Sequence, residues 1–223
     1  MNSNFKISII TVSFNSVITI RDTIESIISQ DYNNIEYIII DAGSNDGTLD
    51  IIKEYKEHIS YFISEADNGI YDGMNKGIAA ATGDIVGILN SDDFYPNSFV
   101  ISNVASTFEK QRCDAVYGDL VYVKFFDIDK IIRYWQSGEY TVKKIKNGWM
   151  LPHPTFFVKK QLYEKHGYYN TDLKIAADYE MVLKLLYKHN IQVFYIPMIL
   201  VNMRIGGASN SSILNRIRAN KED

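Results

Sequence analysis

From its first residues the chain alternates short β-branched runs with longer amphipathic segments. Lys6–Val12, KISIITV, has the length and composition of a buried strand. In Val17–Gln30, Ile20, Ile24, Ile27 and Ile28 recur at helical spacing and share one face. Ile35–Asp41 predicts a second strand, followed by a turn over Ala42–Asp46 and a helix over Gly47–His58. Ile59–Glu65 reads as a third strand, Gly69–Thr82 as a helix, and Asp84–Asn90 as a fourth strand, with a further helix opened by Pro96 and running to Lys110. Strand followed by helix, repeated in this way, predicts βαβ units, right-handed crossovers and an α/β fold with a mostly parallel central sheet flanked by helices. After Lys110 the rhythm changes. Strands are expected over Asp114–Val123, whereas Phe125–Trp149 is aromatic and basic without a period and reads as irregular. A strand over Thr155–Lys160, helices around Gln161–Gly167 and Asp178–Asn190, a strand over Ile191–Pro197 and a polar tail complete the chain. The pattern reads as a single domain over residues 1–223.

Composition narrows the function. The chain has 223 residues, 46% of them hydrophobic and 22% charged, an ordinary globular balance. A net charge of -4 without a clustered basic patch argues against a nucleic-acid partner. Cys113 is the only cysteine, which excludes a disulfide frame or thiolate metal site and suits a reducing cytoplasm. It is expected to be small, buried and inert. No apolar run approaches the ~18 residues of a membrane span, and the opening MNSNFK is expected not to be a secretion signal.

Candidate chemistry collects at the strand ends. Open α/β sheets bind ligands beyond the carboxyl ends of their strands. The first strand ends in TVSFN, the second at Asp41, the third in EADNG and the fourth in NSDD, so one rim receives Thr11, Ser13, Asn15, Asp41, Asp67, Asn68, Asp92 and Asp93. Asp41, Ser44 and Asp46 also suit a turn and a helix cap. As the last residue of an apolar strand, Asp41 is expected to face the crevice. Asp92 and Asp93 repel each other unless a cation lies between them. Oxygen-rich sites with few protein ligands suit Mg²⁺ or Mn²⁺, which complete their shells with water and phosphate and so imply a diphosphate ligand. Neither a P-loop nor GxGxxG is present to hold the phosphates, and DAGSNDG fails as an EF-hand because Asp46 stands where glycine is required.

Taken in order, TVSFN, QDYNNIEYIIIDAGSNDGT, EADNGIYDGMNKGIAAATGD, LNSDD and AADYE resemble the family 2 glycosyltransferases of the GT-A fold. The resemblance spans Lys6 to Pro197 and is nearest to bacterial enzymes that extend cell-surface polysaccharide and lipopolysaccharide. It implies an inverting, metal-dependent transfer of a monosaccharide from a nucleoside diphosphate sugar to a glycan or lipid-linked acceptor. Residues 1–110 would form the nucleotide-binding half, and 111–223 the acceptor-binding half and tail. By the same resemblance, Thr11, Val12, Ser13 and Asp41 hold the base and ribose, Asp67 and Asp92 add nucleotide contacts, and Asp93 is the direct ligand of Mn²⁺ or Mg²⁺. Many members carry a second acid directly after the first strand-end acid; here that position is Ala42. Asp178 matches the family's general base, with Glu180 as a second choice, although Asp178 taken alone also fits a helix N-cap. The QxxRW pattern of processive synthases is absent, which implies non-processive transfer.

Other readings stay open. His153 lines an acceptor pocket, assists the metal, or is structural. Arg204 in MRIGGASN is a charge partner on a flap hinged at Gly206 and Gly207, or part of a tail turn. Lys76 reaches the donor or lies on a solvated face, and Trp135 and Trp149 stack on a sugar or fill the core. KKIKNGWM is a peripheral contact with the inner face of the cytoplasmic membrane, or a solvated loop. Two rival functions remain. A sugar-nucleotide pyrophosphorylase would need a glycine-rich N-terminal loop followed by arginine, which is missing. A non-catalytic GT-A-fold binding subunit is countered by the intact acids. Donor base, sugar, acceptor and oligomeric state are not determined by the sequence.

Overall fold

A computed structural model of the chain describes residues 5–205. The alternating pattern becomes β1 (Ile7–Ser13), α1 (Ile20–Ile28), β2 (Ile35–Asp41), α2 (Thr48–Glu54), β3 (Tyr61–Ser64), α3 (Ile70–Ala80), β4 (Ile85–Ile88) and α4 (Val100–Gln111). Then come β5 (Ala115–Lys124), β6 (Asp127–Trp135), α5 (Val142–Lys146), β7 (Phe157–Lys159), α6 (Lys160–His166), α7 (Ala177–Val182) and β8 (Val193–Arg204). The strands form one eight-stranded sheet in the order β3-β2-β1-β4-β7-β5-β6, with β8 added to β5. β1 to β4 are mutually parallel, β7 runs antiparallel between β4 and β5, and β8 is parallel to β5.

Strict alternation along the central strands divides the core into two layers. Ile10 and Val12, with Ile38 and Ile40, face α3 and α7, whereas Ile7 and Ile9, with Tyr37 and Ile39, face α1, α2 and α4. Both faces are therefore covered, and the strand ends are the exposed rim. The strand order reverses between β1 and β4, which places the crevice beyond Ser13 and Ile88.

Three expectations are corrected. Phe125–Trp149 is not irregular: it contains β6 and α5. Its period was hidden because β6 is an exposed edge strand with a displaced register against β5. Its aromatic residues anchor it instead. The Tyr134 and Tyr195 hydroxyls and the Ser137 amide all donate to the buried Asp119 carboxylate. The helix expected over Asp178–Asn190 is α7 followed by a π-helical segment at Leu183–Lys188. The last strand continues past Pro197 to Arg204, because that proline, lacking an N–H, falls where the pairing skips from Tyr117↔Tyr195 to Asp119↔Ile199.

Gly77 lets α3 lie directly on β1. A β-carbon there would collide with Cγ2 of Ile10, which is fully buried. Overpacking of this kind costs about 1–3 kcal/mol, against about 1 kcal/mol gained in helix propensity. Gly77→Ala is expected to lower Tm by about 2–4 °C per kcal/mol lost; calorimetry showing an unchanged or higher Tm would contradict the close packing.

Candidate active site

The ends of β1 and β2 are joined into one polar scaffold. Asp41 is 0% exposed, and its carboxylate accepts five hydrogen bonds: from the Ser13, Ser44 and Ser64 hydroxyls and from the Gly43 and Ser44 amides. Burial pushes its pKa up, but the hydroxyls of Ser44 and Ser64, with the other donors, outweigh that and hold it below the ordinary value. The β1–α1 loop is tied to the β2–α2 loop by Asn15 N to Ser44 Oγ (2.8 Å), Asn45 N to Asn15 Oδ1 (3.0 Å) and Val17 N to Asp46 Oδ2 (3.0 Å). Asn15 takes a positive φ of 49° to make this turn. Asp46 accepts from the Thr48 amide at the start of α2, consistent with its reading as a turn former.

At the mouth of β4 the acid pair is held residue by residue. Asp93 N donates to Asn90 O (3.0 Å), and the Ser91 and Ser16 hydroxyls meet at 2.7 Å. Thr23 Oγ1 donates to Asp93 O (2.7 Å), Phe94 exchanges backbone bonds with Asn202, and Tyr95 N donates to Ser26 Oγ (3.1 Å). Asp93 is 1% exposed and its Oδ1 accepts from Arg204 N (3.2 Å), while Asp92 is half-buried. Burial raises the pKa of both, and repulsion from Asp92 raises Asp93 further. Asn90 Nδ2 lies 3.5 Å from Asp93 Oδ2, and its buried Oδ1 has no partner among the described residues. Two carboxylates and an orphaned carbonyl oxygen form an all-oxygen set short of positive charge, which fits a hard divalent cation. Among the described residues no group of three or more His, Cys, Asp or Glu side chains is placed to hold a metal ion, so most of such an ion's shell would come from phosphate and water.

The third element arrives from far along the chain. α3 starts directly after the β3 loop, so Tyr71 in its first turn lies at the same rim. The Tyr71 hydroxyl bonds to the carbonyl of Ile175 and lies 3.1 Å from Asp178 Oδ1. Asp178 is the second residue of α7, whose N-cap is Ala176; the capping alternative therefore does not hold. Tyr169 stacks on Tyr71 at 5.8 Å and lies 6.2 Å from the His153 ring. Val86 pairs with Val158, so the turn at His153–Thr155, just before β7, approaches the end of β4. Burial holds the His153 imidazole below its ordinary pKa while the nearby Asp178 carboxylate opposes the shift.

Residues 8–169 match the model of glycosyl transferase family 2. The chain belongs to that family. An uncharacterized glycosyltransferase of Mycobacterium tuberculosis (strain H37Rv) is 32% identical over 190 residues, covering 82% of this chain and 70% of the relative. A PGL/p-HBAD biosynthesis glycosyltransferase of Mycobacterium bovis is 24% identical over 211 residues, 92% of this chain and 80% of the relative. Among solved structures, S. aureus TarS 1–349 with UDP-GlcNAc superposes with a TM-score of 0.74 at 18% identity, over 93% of this chain and 61% of that one. The mannosyltransferase of Pyrobaculum calidifontis with GDP-Man and Mn²⁺ gives 0.71 at 18% identity, over 96% and 60%. At these identities the likeness is of fold, and the family member described here has the GT-A architecture. It spans 37% of the longer TarS structure.

The family's expected positions are not equally accessible. Val12 packs toward Gly73 of α3, Ser13 is committed to Asp41, and Thr11 is 0% exposed with its hydroxyl on Tyr37 (3.2 Å). Thr11 therefore lies in the core. Asp41 faces its own loop rather than the open crevice, because every lone pair already has a donor. Asp67 accepts from Gly69 N (2.9 Å) and remains at the rim. Glu180 lies 3.2 Å from Lys184 Nζ, and Lys76 is paired with Glu65 at 2.8 Å, which leaves it in a surface pair. Trp149 is turned inward, its Nε1 on Ser137 O (3.1 Å), and Trp135 stacks on Tyr122. Arg204 is not on a flap but ends β8 at 2% exposure; Gly206 and Gly207 lie outside the described residues. Cys113 is 3% exposed with its thiol pushed up to about 11 by burial. Sequence reasoning missed Tyr71, Tyr169 and Asn90, whose apolar or turn-forming types gave no signal of a shared rim.

Asp41→Asn leaves donors without an acceptor, and the penalty is on the order of 2–4 kcal/mol. The wild-type pKa is depressed in the folded state, so Asp41 contributes stability above the ordinary carboxylate range and loses it as pH falls through the folded value. Denaturant melts are expected to show a gap between the proteins that is full at pH 6 and narrows below pH 4; a constant gap would argue against the ionised, five-donor arrangement.

Proposed function

We propose that the chain transfers a monosaccharide, with inversion, from a nucleoside diphosphate sugar to a hydroxyl of a glycan or lipid-linked acceptor in bacterial surface-polysaccharide synthesis. The observation that carries this reading is the approach to one rim of the acid pair Asp92–Asp93, its second member buried, and the separate carboxylate of Asp178. Asp93 and Asp92, with Asn90 Oδ1 beside them, would hold Mn²⁺ or Mg²⁺. Bound there, the ion would neutralise charge on the departing diphosphate.

The protein's own groups account for the rest. Asp178, oriented by Tyr71, takes the proton of the acceptor hydroxyl as its oxygen bonds to the anomeric carbon. The bond from that carbon to the diphosphate breaks in the same displacement, which inverts the centre and releases the nucleoside diphosphate. Tyr169, stacked on Tyr71 and near His153, backs the tyrosine that orients the base. The scaffold of Ser13, Asp41, Ser44 and Ser64 keeps the base-and-ribose side rigid, with Asp67 at its edge. Among the described residues no helix is long and apolar enough to cross a membrane. The reading places the protein in the cytoplasm or on the inner membrane face, supported by the single reduced cysteine.

Melting with UDP, GDP and dTDP, each with and without Mn²⁺, tests the donor side. At a hundredfold excess over Kd a bound nucleotide adds about 2.7 kcal/mol, or about 5–10 °C, and the gain should require Mn²⁺. Asp93→Asn should abolish the Mn²⁺-dependent part without lowering the metal-free Tm, because one of two buried like charges is removed. No shift with any nucleotide would count against the assignment.

For the acceptor side, Asp178→Asn is expected to slow transfer from the selected donor by about 10²–10⁴-fold while leaving the Mn²⁺–nucleotide shift intact. Turnover at the wild-type rate would remove Asp178 from the mechanism.

A further inference from the structure

Arg204 is 2% exposed, and its amide, Nη1 and Nη2 are directed at the acid loop or its support. Its amide donates to Asp93 Oδ1 (3.2 Å), and Nη1 donates to the carbonyl of Asp92 (2.7 Å). Nη2 bonds to the Asp22 carboxylate in α1, and the guanidinium lies 4.9 Å over the ring of Phe94. Its Nε is buried without a partner among the described residues. A buried guanidinium costs several kcal/mol unless well paired, yet its one ion-pair partner among the described residues, Asp22, is 45% exposed. Burial of this arginine is therefore poorly explained as a stabilising core contact.

The geometry points to a different use: Arg204 is the positioning residue of the Asp92–Asp93 pair. Neighbouring residues of α1 reach the two neighbouring acids by two routes. Asp22 does so through the Arg204 fork, which ends on Asp92 O, and Thr23 directly on Asp93 O. One residue at the end of β8 thus fixes the backbone of the first acid and the side chain of the second, and ties both to a helix on the other side of the loop. A lysine at this place would keep the charge but not the planar fork that spans Asp22 and Asp92 O together. The link to a cation rests on the activity proposed above; the positioning of the loop does not.

Two measurements on the full chain test this. In hydrogen exchange without added ligand, Arg204→Lys is expected to speed exchange of the segment 90–95 at least tenfold, with β1 and β2 unchanged. In Mn²⁺ titrations with UDP or GDP, the same variant should bind the metal at least fivefold more weakly. Exchange of 90–95 within twofold of wild type in folded Arg204→Lys would overturn the proposal, as would a uniform loosening of the whole sheet. Should that variant fail to fold, Asp22→Asn removes only the half-exposed arm, and at least threefold faster exchange confined to 90–95 is expected; no change overturns it. Wild-type protein that binds no Mn²⁺ with any nucleotide would defeat the proposed activity, while the exchange result would still decide the role of Arg204.

Discussion

Two carboxylates on adjacent residues, held largely out of water, are the constraint around which the molecule is arranged. Burial and mutual repulsion drive such a pair apart or into the neutral form, and a loose loop would relieve both by swinging into solvent. This loop cannot swing. From Asn90 to Tyr95, α1, the β1–α1 loop and the end of β8 hold it by direct hydrogen bonds. The stress is thereby kept in place, which is how functional sites retain an unfavourable electrostatic state.

The sheet makes that possible because its parallel strands deliver their ends to one side while helices cover both faces. Loops that would otherwise move independently become partners of one another, as in the stitching of Asn15, Ser44 and Asp46. The Asp178 carboxylate is added by a different device. α7 is tied to the rim by a hydrogen bond from the Tyr71 hydroxyl to the Asp178 carboxylate, across 107 positions of sequence.

What the sequence made legible follows from what has a period. β1 to β4 and their helices were readable because buried strands and one-sided helices leave repeating apolar marks. β6 and α5 were not, since an edge strand with a shifted register has no buried face to repeat. Among the functional positions, the acids at strand ends were visible as residue types. Their orientations were not: Asp41 looked like a crevice ligand, yet hydroxyls of Ser13, Ser44 and Ser64 surround it, and only the fold brings those together. Arg204 could be seen as a charge partner, but its burial depends on a strand that runs through a proline, which local rules end too early.

The bridge between Phe94 and Asn202 has a consequence for how the protein is made. The acidic turn is synthesised well before its clasp, which lies 111 positions further along the chain. Parallel pairing of β8 with β5 closes a long loop, a slow class of folding event. The half containing β1 to β4 can collapse on its own helices well before that clasp closes. Docking of β8 is thus what fixes the acidic turn.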